Sequence, residues 1–284
     1  MNGAQFKSDF KNFRLPEYEG MSAGHLACAG CGATVAMRLA LKALGPRTII
    51  VIPACCWAVI EGPFPYSALG VPVLQVAFET AAISASGVRA GFRAQGIDDV
   101  KVCALAGDGG TFDIGLAALS GVTKNNDDIV YVCLDNEAYM NTGIQVSSST
   151  PAFAWTGTTP KGNPNRKKNI MEIMAAHYIP YAATATIAYP DDLLRKVEKA
   201  ASIRGFKFLH IFSPCPTGHK SAERMSVALS RKAVQSRVFP LYEMENGKRA
   251  VTVRPETVPV REYLEMQGRF RHMSDDDAAF LQGA

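Results

Sequence analysis

The sequence predicts an α/β fold, a doubly wound and mostly parallel sheet with helices on both faces. Three observations carry this. Short, near-continuous apolar runs rich in β-branched residues recur along the chain, as strands buried on both faces require. Segments with helical spacing of apolar residues lie between them, and this alternation is the pattern of βαβ units. The chain has 284 residues, 48% hydrophobic and 20% charged, enough to bury a sizeable core.

The elements follow in order. "ATVAMRLALKAL" (33–44) reads as a helix and "RTIIVI" (47–52) as a buried strand. "VPVLQVA" (71–77) is the next strand, followed by the helix "ETAAISASGVRAGFRAQ" (79–95). "VKVCALA" (100–106), the helix "DIGLAALSGVTKN" (113–125) and "IVYVCLD" (129–135) continue the rhythm. Residues 145–168 are rich in Ser, Thr, Gly, Pro and Asn and form one long loop, a length usually reserved for function or disorder. "NIMEIMAAH" (169–177) is a helix, 180–186 a weaker strand, and "PDDLLRKVEKAASI" (190–203) a helix with Pro190 in its first turn. "FKFLHIF" (206–212) is the last clear strand. Beyond 216 no further core strand is expected: 221–236 reads as a helix, "ENGK" (245–248) as a turn, and 274–284 as a capped terminal helix.

The formal charge of +4 is modest, and no aromatic-basic face stands out, so nucleic-acid binding is not expected. No apolar run is long enough to span a membrane. The opening stretch "MNGAQFKSDFKNFRLPEYEG" lacks the apolar core of a signal peptide. Seven cysteines, an odd number, favour reduced thiols, and the expected location is the cytoplasm.

The strand at 100–106 runs into "GDGG" (Gly107, Asp108, Gly109, Gly110) and then a helix. Small glycines admit a phosphate close to the backbone, and a helix start offers free N–H groups. Asp108 would repel phosphates unless a hard cation lay between them, so it points to Mg²⁺. One strand–helix–strand unit later comes Asp135-Asn136. In a parallel sheet both sites emerge at the carboxyl edge, where ligands bind. The Asn136 amide oxygen and a carbonyl near Ala138 would complete a shell with Asp108. The bland alternative is a tight βα turn followed by an Asx turn.

A second motif is "GHLACAGCGA" (24–33), with Cys28 and Cys31. Cys56 follows the first strand and Cys215 the last, so both reach the same edge. On residues alone, an iron–sulfur cluster, a zinc site and a Cys28–Cys31 redox disulfide all stay open. Cys103 and Cys133 sit inside apolar strands and read as buried core thiols.

"GDGGTFDIGLAALSGVTKNNDDIVYVCLDNEAYMNTGIQ", with "GHLACAGCGA", "VAFETAAISASGV" and "SPCPTG" in the same order, resembles the β subunit of 2-oxoacid:ferredoxin oxidoreductases, the pyruvate:ferredoxin (pyruvate synthase) branch above all. The resemblance covers roughly residues 20–220. It implies a domain that binds the diphosphate of thiamine diphosphate through Mg²⁺ at Asp108, Asn136 and Ala138. It implies one [4Fe–4S] cluster held by Cys28, Cys31, Cys56 and Cys215, with Cys56 rather than Cys55 as ligand. Asn141 matches a family asparagine near the reactive ring and is the catalytic candidate. His25, before the first cysteine, could face either cofactor, or serve as a plain loop histidine. Glu79 could approach the cofactor, although a first-turn carboxylate needs no further reason.

The implied reaction is oxidative decarboxylation of a 2-oxoacid, with coenzyme A taking the acyl group and ferredoxin the electrons. Pyruvate is the expected substrate; 2-oxoisovalerate, oxalate, phenylglyoxylate, or a non-redox thiamine diphosphate lyase are the alternatives. The glutamate that activates the cofactor has no candidate here, so an α subunit and further iron–sulfur subunits are implied. The domain expectation is an arm (1–20), a cofactor and iron–sulfur domain (21–215), and an extension (216–284) packing on a partner chain. His177, His210 and His272 read as structural. "NRKK" (165–168) reads as a solvated face, with an acidic ferredoxin or coenzyme A phosphates as the sharper alternative.

Overall fold

Among the described residues, eight strands form a single sheet. The computed structural model describes residues 14–274 and 276–278. The six expected strands are all present: β1 (Thr48–Pro53), β2 (Val73–Val76), β3 (Lys101–Gly107), β4 (Val130–Asp135), β5 (Tyr181–Thr186) and β6 (Lys207–Phe212). They pair in parallel throughout. Strands β4, β5 and β6 are buried at every position, which is why their sequences run apolar without alternation.

Helices cover both faces. On one side α1 (Gly32–Leu44) and α6 (Pro190–Ser202) pack together, with Met37, Leu41, Leu193 and Val197 against Ile50 and Leu105. On the other, α3 (Ala81–Ala94), α4 (Leu116–Asn125) and α5 (Ile170–Ala175) set Ala85, Leu119, Val122 and Met174 against Ala104, Tyr131 and Phe208. Burying each such large side chain stabilises the fold by about 1.5–3 kcal/mol.

Two features differ from the sequence expectation. The tail adds two strands. Tyr242–Glu245 (β7) pairs antiparallel with β5, and Lys248–Val251 (β8) pairs with β7 across a turn at Asn246 and Gly247. "ENGK" is thus the tip of a hairpin. Four-residue strands, one with a single exposed position and the other exposed throughout, leave too short an alternation to be read in sequence. The tail also builds a third apolar cluster, with Leu229, Phe239, Leu241, Tyr263 and Phe270 around Phe212 of β6. Secondly, a short helix, α2 (Cys56–Glu61), starts directly after β1.

Of the expected N-terminal arm, residues 1–13 lie outside the described residues, as does most of the expected terminal helix, of which 276–278 are helical. Among the described residues no helix is long and apolar enough to cross a membrane.

The strand order, β2-β1-β3-β4-β6-β5-β7-β8, positions the site. From β1 the chain moves outward to β2, then returns to the other side of β1 for β3. The crevice between the carboxyl ends of β1 and β3 is therefore a topological switch point, where open α/β sheets bind ligands.

Candidate functional site

A cavity of about 500 Å³ opens at that switch point. Its walls come from the ends of β1 (Ala54 to Val59), β3 (Gly107 to Gly110) and β4 (Asn136, Ala138 to Thr142), with Phe78 before α3. The expected residues Gly107, Asp108, Gly109, Gly110, Asn136, Ala138, Asn141 and Cys56 all line it.

The chain leaves β3 into a π-helical turn, Gly109–Asp113, and only then into α4. Gly109 has a packing reason: a Cβ there would stand 2.2 Å from the Tyr139 ring. Tyr139 is held over the turn by its hydroxyl, which donates to Asp113 at 2.7 Å. Asp108 is buried, and Ser147 of the long loop donates to its Oδ2. Burial first, and the Asp135 charge second, push the Asp108 carboxyl well above its usual range; the Ser147 bond opposes them weakly.

The Asn136 amide meets Asp108 Oδ1 at 3.0 Å and the Ala138 carbonyl at 2.9 Å. With its nitrogen toward them, the amide donates to both. With its oxygen toward them, three oxygens converge from two strand ends, the donor set of a hard cation.

The geometry behind this trio is specific. Asp135 is fully buried and receives Lys167 at 2.7 Å, His210 at 2.7 Å and the Ser149 hydroxyl at 2.6 Å. Burial pushes its carboxyl up, but Lys167 and His210 outweigh burial and hold it below the usual range. Its other oxygen accepts from the Glu137 N–H at 2.8 Å, the Asx turn that the bland reading expected. The buried Glu137 carboxylate binds Lys167 at 3.0 Å and Arg269. "NRKK" is therefore not a solvated face throughout: Lys167 is committed to this inner network, and Lys168 binds the Phe112 carbonyl and Asp113. The loop 145–168 folds over the strand ends because its hydroxyls and Lys167 supply the partners that buried carboxylates need.

The cysteines approach from three loops. Cys56 reaches the cavity, with its Sγ 3.1 Å from Asn141 Oδ1. The Cys28–Cys31 loop docks on the Cys215 loop through a bond from Gly32 N–H to the Pro214 carbonyl at 2.9 Å. Gly30, at φ +72°, has no room for a Cβ, which would stand 2.3 Å from the Glu223 carbonyl oxygen. Burial pushes the Cys56 thiol up to about 12, and charge on Cys55, Cys215 and Cys31 adds to it. Burial likewise raises Cys215, with Cys31 and Cys28 contributing. The four thiols thus share one neighbourhood. Among the described residues they do not cluster as tightly as a single bound metal ion requires.

Cys55 sits beside them, half-buried against the N–H groups of Ala58, Trp57 and Gly107, and loss of solvent around its thiol pushes it up to about 12. Cys103 and Cys133 are buried in strands as expected. His25 accepts from the Ala27 N–H at 3.4 Å, a contact within its own loop, and does not line the cavity. Glu79 is exposed and also stays off the cavity wall. His177 bonds Ser120 and the Ile173 carbonyl.

The chain is similar to known proteins. The description "Thiamine pyrophosphate enzyme, C-terminal TPP binding domain" matches residues 72–211, a span that holds Asp108, Asn136 and Ala138. Ketoisovalerate oxidoreductase subunit VorB of Pyrococcus horikoshii is 48% identical, covering 96% of this chain and 92% of its own. Pyruvate synthase subunit PorB of Methanothermobacter thermautotrophicus is 50% identical, covering 95% of this chain and 96% of its own. The chain belongs to the 2-oxoacid:ferredoxin oxidoreductase β-subunit family. Among solved structures, the 2-oxoglutarate:ferredoxin oxidoreductase from Magnetococcus marinus has the same fold, with a TM-score of 0.63 over 96% of this chain and 97% of that one, at 19% identity. As a family member the chain is one subunit of a multi-subunit oxidoreductase.

Sequence reasoning missed several residues at this candidate site. Ser147 lies in the loop and left no signal of its reach to Asp108. Tyr139 stood inside the quoted motif, but its place over Gly109 needs the fold. His219 had a usable signal: it follows Cys215 by four residues. It is buried, its Nε2 lies 3.0 Å from the Asn136 carbonyl oxygen, and burial pushes it down to about 3.

Proposed function

We propose that this subunit binds thiamine diphosphate through Mg²⁺ and holds a [4Fe–4S] cluster, in an enzyme that oxidatively decarboxylates pyruvate to acyl-CoA and CO₂ with electrons passing to ferredoxin. The observation that carries this reading is the convergence of Asp108, Asn136 and Ala138 at the rim of a cavity that also contains Cys56. Asp108, Asn136 Oδ1 and the Ala138 carbonyl would hold the magnesium ion, whose charge offsets both Asp108 and a diphosphate. Cys28, Cys31, Cys56 and Cys215 would hold the cluster; four thiolates are its usual donor set, and a four-iron cube spreads them wider than one ion does. When bound, thiamine diphosphate supplies the electron sink for loss of CO₂, and the cluster accepts electrons singly.

The chain's own residues do the positioning. Phe78 and Tyr139, with ring centroids 6.0 Å apart, wall the cavity from water. Asn141, beside Cys56, presents an amide that orients a polar substrate group between the cavity and the thiols. The glutamate that activates the cofactor comes from an α subunit, and further iron–sulfur subunits relay electrons outward. The proposed location is the cytoplasm.

The test is metal and cofactor content of the purified complex. Cys215→Ser should lose this subunit's cluster, about four irons and four acid-labile sulfides per β subunit, while the clusters of the other subunits stay; Cys103→Ser should keep all of them, with thiamine diphosphate retained in each. Equal iron in the two variants rejects this ligand set. A branched 2-oxoacid is the second reading. It is favoured by near-equal identity to the pyruvate and ketoisovalerate subunits, 50% and 48%, and by apolar walls at Val59, Val76 and Met140. The ratio of kcat/KM for pyruvate and 2-oxoisovalerate, measured on the intact complex, decides between them.

A further inference from the structure

We infer that Glu137 and Arg269 are positioning residues: a carboxylate clamped by the C-terminal tail holds the left-handed turn that aims Asn136 and Ala138 at Asp108. This rests on the magnesium reading above and assigns it a support from a distant part of the chain.

Glu137 stands between the two proposed ligands and has φ +66°. A side chain in the left-handed region is strained, and such strain persists only where the surroundings over-determine it. Here they do. The Glu137 N–H donates to Asp135, and its carbonyl accepts from the Thr150 hydroxyl at 2.7 Å. The Asn136 carbonyl before it faces His219 Nε2 at 3.0 Å. The carboxylate is gripped from two further elements, Lys167 of the long loop and Arg269 of the tail.

Arg269 is itself fixed. It is 2% exposed, its Nε donates to Gln267 at 3.0 Å, and its carbonyl accepts from Trp155 N–H at 2.9 Å. The inner network is balanced in charge, with Asp135 and Glu137 facing Lys167 and Arg269. A left-handed backbone at Glu137 points the Ala138 carbonyl back toward the Asn136 amide, 2.9 Å away. An extended residue there would carry Ala138 away from Asp108. The tail thus acts on the cofactor rim without touching it.

The experiment measures the Mg²⁺ concentration needed for half-maximal retention of thiamine diphosphate by the full complex after desalting, with the thermal midpoint of each variant alongside. Arg269→Met leaves one buried carboxylate in excess and should raise that concentration about tenfold, the usual scale for removing an outer partner of a metal ligand. The double variant Glu137→Gly/Arg269→Met restores charge balance and places glycine where the backbone is left-handed. It should return to within about threefold of the parent, far less than the loss expected for an unsupported ligand. A merely structural role would lower the thermal midpoint of both variants and leave their magnesium requirements alike. Should Arg269→Met not fold, Arg269→Lys keeps the charge, loses the fork, and should raise the requirement about threefold.

An unchanged requirement in Arg269→Met (in Arg269→Lys, should the former not fold), or no recovery in the double variant, overturns the inference. Asp108→Ala separates the two levels. If it loses thiamine diphosphate while Arg269→Met keeps a normal requirement, only the clamp is wrong. If it retains thiamine diphosphate like the parent, the magnesium reading fails and the clamp with it.

Discussion

Asp108 and Asp135 end neighbouring strands, are both buried, and live in opposite electrostatic worlds. Gly107 pairs in register with Leu134, so the two carboxylates follow side by side. Asp135 is met by Lys167, His210 and Ser149 and is held ionised below its usual range. Asp108 is met by the Ser147 hydroxyl and the Asn136 amide and is pushed up, toward its neutral form. A buried carboxylate without a cation is costly, and perturbed acids of this kind gather at functional sites. The fold neutralises one aspartate with its own side chains; the other is the one that the proposed function assigns to a cation.

The largest way to break this contrast is Asp108→Ala. Magnesium-dependent retention of thiamine diphosphate should fall about 100-fold or more, while visible iron–sulfur absorbance stays. Retention near that of the parent would put the two aspartates on one footing.

Next is Lys167→Met, which strips the shared cation from Asp135 and Glu137. Breaking a buried pair costs about 3–5 kcal/mol, visible in the denaturant midpoint. A loss below about 1 kcal/mol, the range of an exposed pair, would show that Asp135 is not held this way.

Ser147→Ala should be milder. It removes one hydroxyl from Asp108, a change of about 1–3 kcal/mol for a buried acceptor. The cofactor-free chain should soften, and magnesium should recover most of the difference because the ion replaces the lost partner.

The smallest effect is in pH. Asp108 has a raised folded pKa, so the native state binds more protons than the unfolded chain above about pH 3.9. Its contribution should therefore decline as pH rises from there to the folded pKa in metal-free protein. Asp135 has a lowered folded pKa, so its stabilisation should be present above about 3.9 and lost as pH falls below it. Asp108→Asn should remove the first slope and leave the second. Parallel stability curves for parent and variant would contradict the assignment.

The legible parts of the molecule are those whose chemistry repeats locally. All six parallel strands start within two residues of their expected places; five are runs buried at nearly every position, and β2, at the sheet edge, is the half-exposed exception. Asp108 and Asn136 were readable because a strand end, a tight turn and a helix start have their own local composition. The hairpin at 242–251 was not, since two four-residue strands, one of them exposed throughout, carry little pattern. Lys167 looked like part of a basic surface run. Nothing in "NRKK" says which lysine turns inward, because the deciding partners, Asp135 and Glu137, lie about thirty positions away.

The sequence by itself determined the βαβ order, the edge at which Asp108, Asn136 and the cysteine loops emerge, and the family. Those are consequences of periodicity and of motifs a few residues long. Only the tertiary structure decided which buried charges are paired. It brought Lys167 to Asp135, Arg269 to Glu137 and His219 to the Asn136 carbonyl, contacts spanning up to 132 positions. Electrostatic compensation depends on distance in space and on exclusion of water, and neither is written in the local order of the chain.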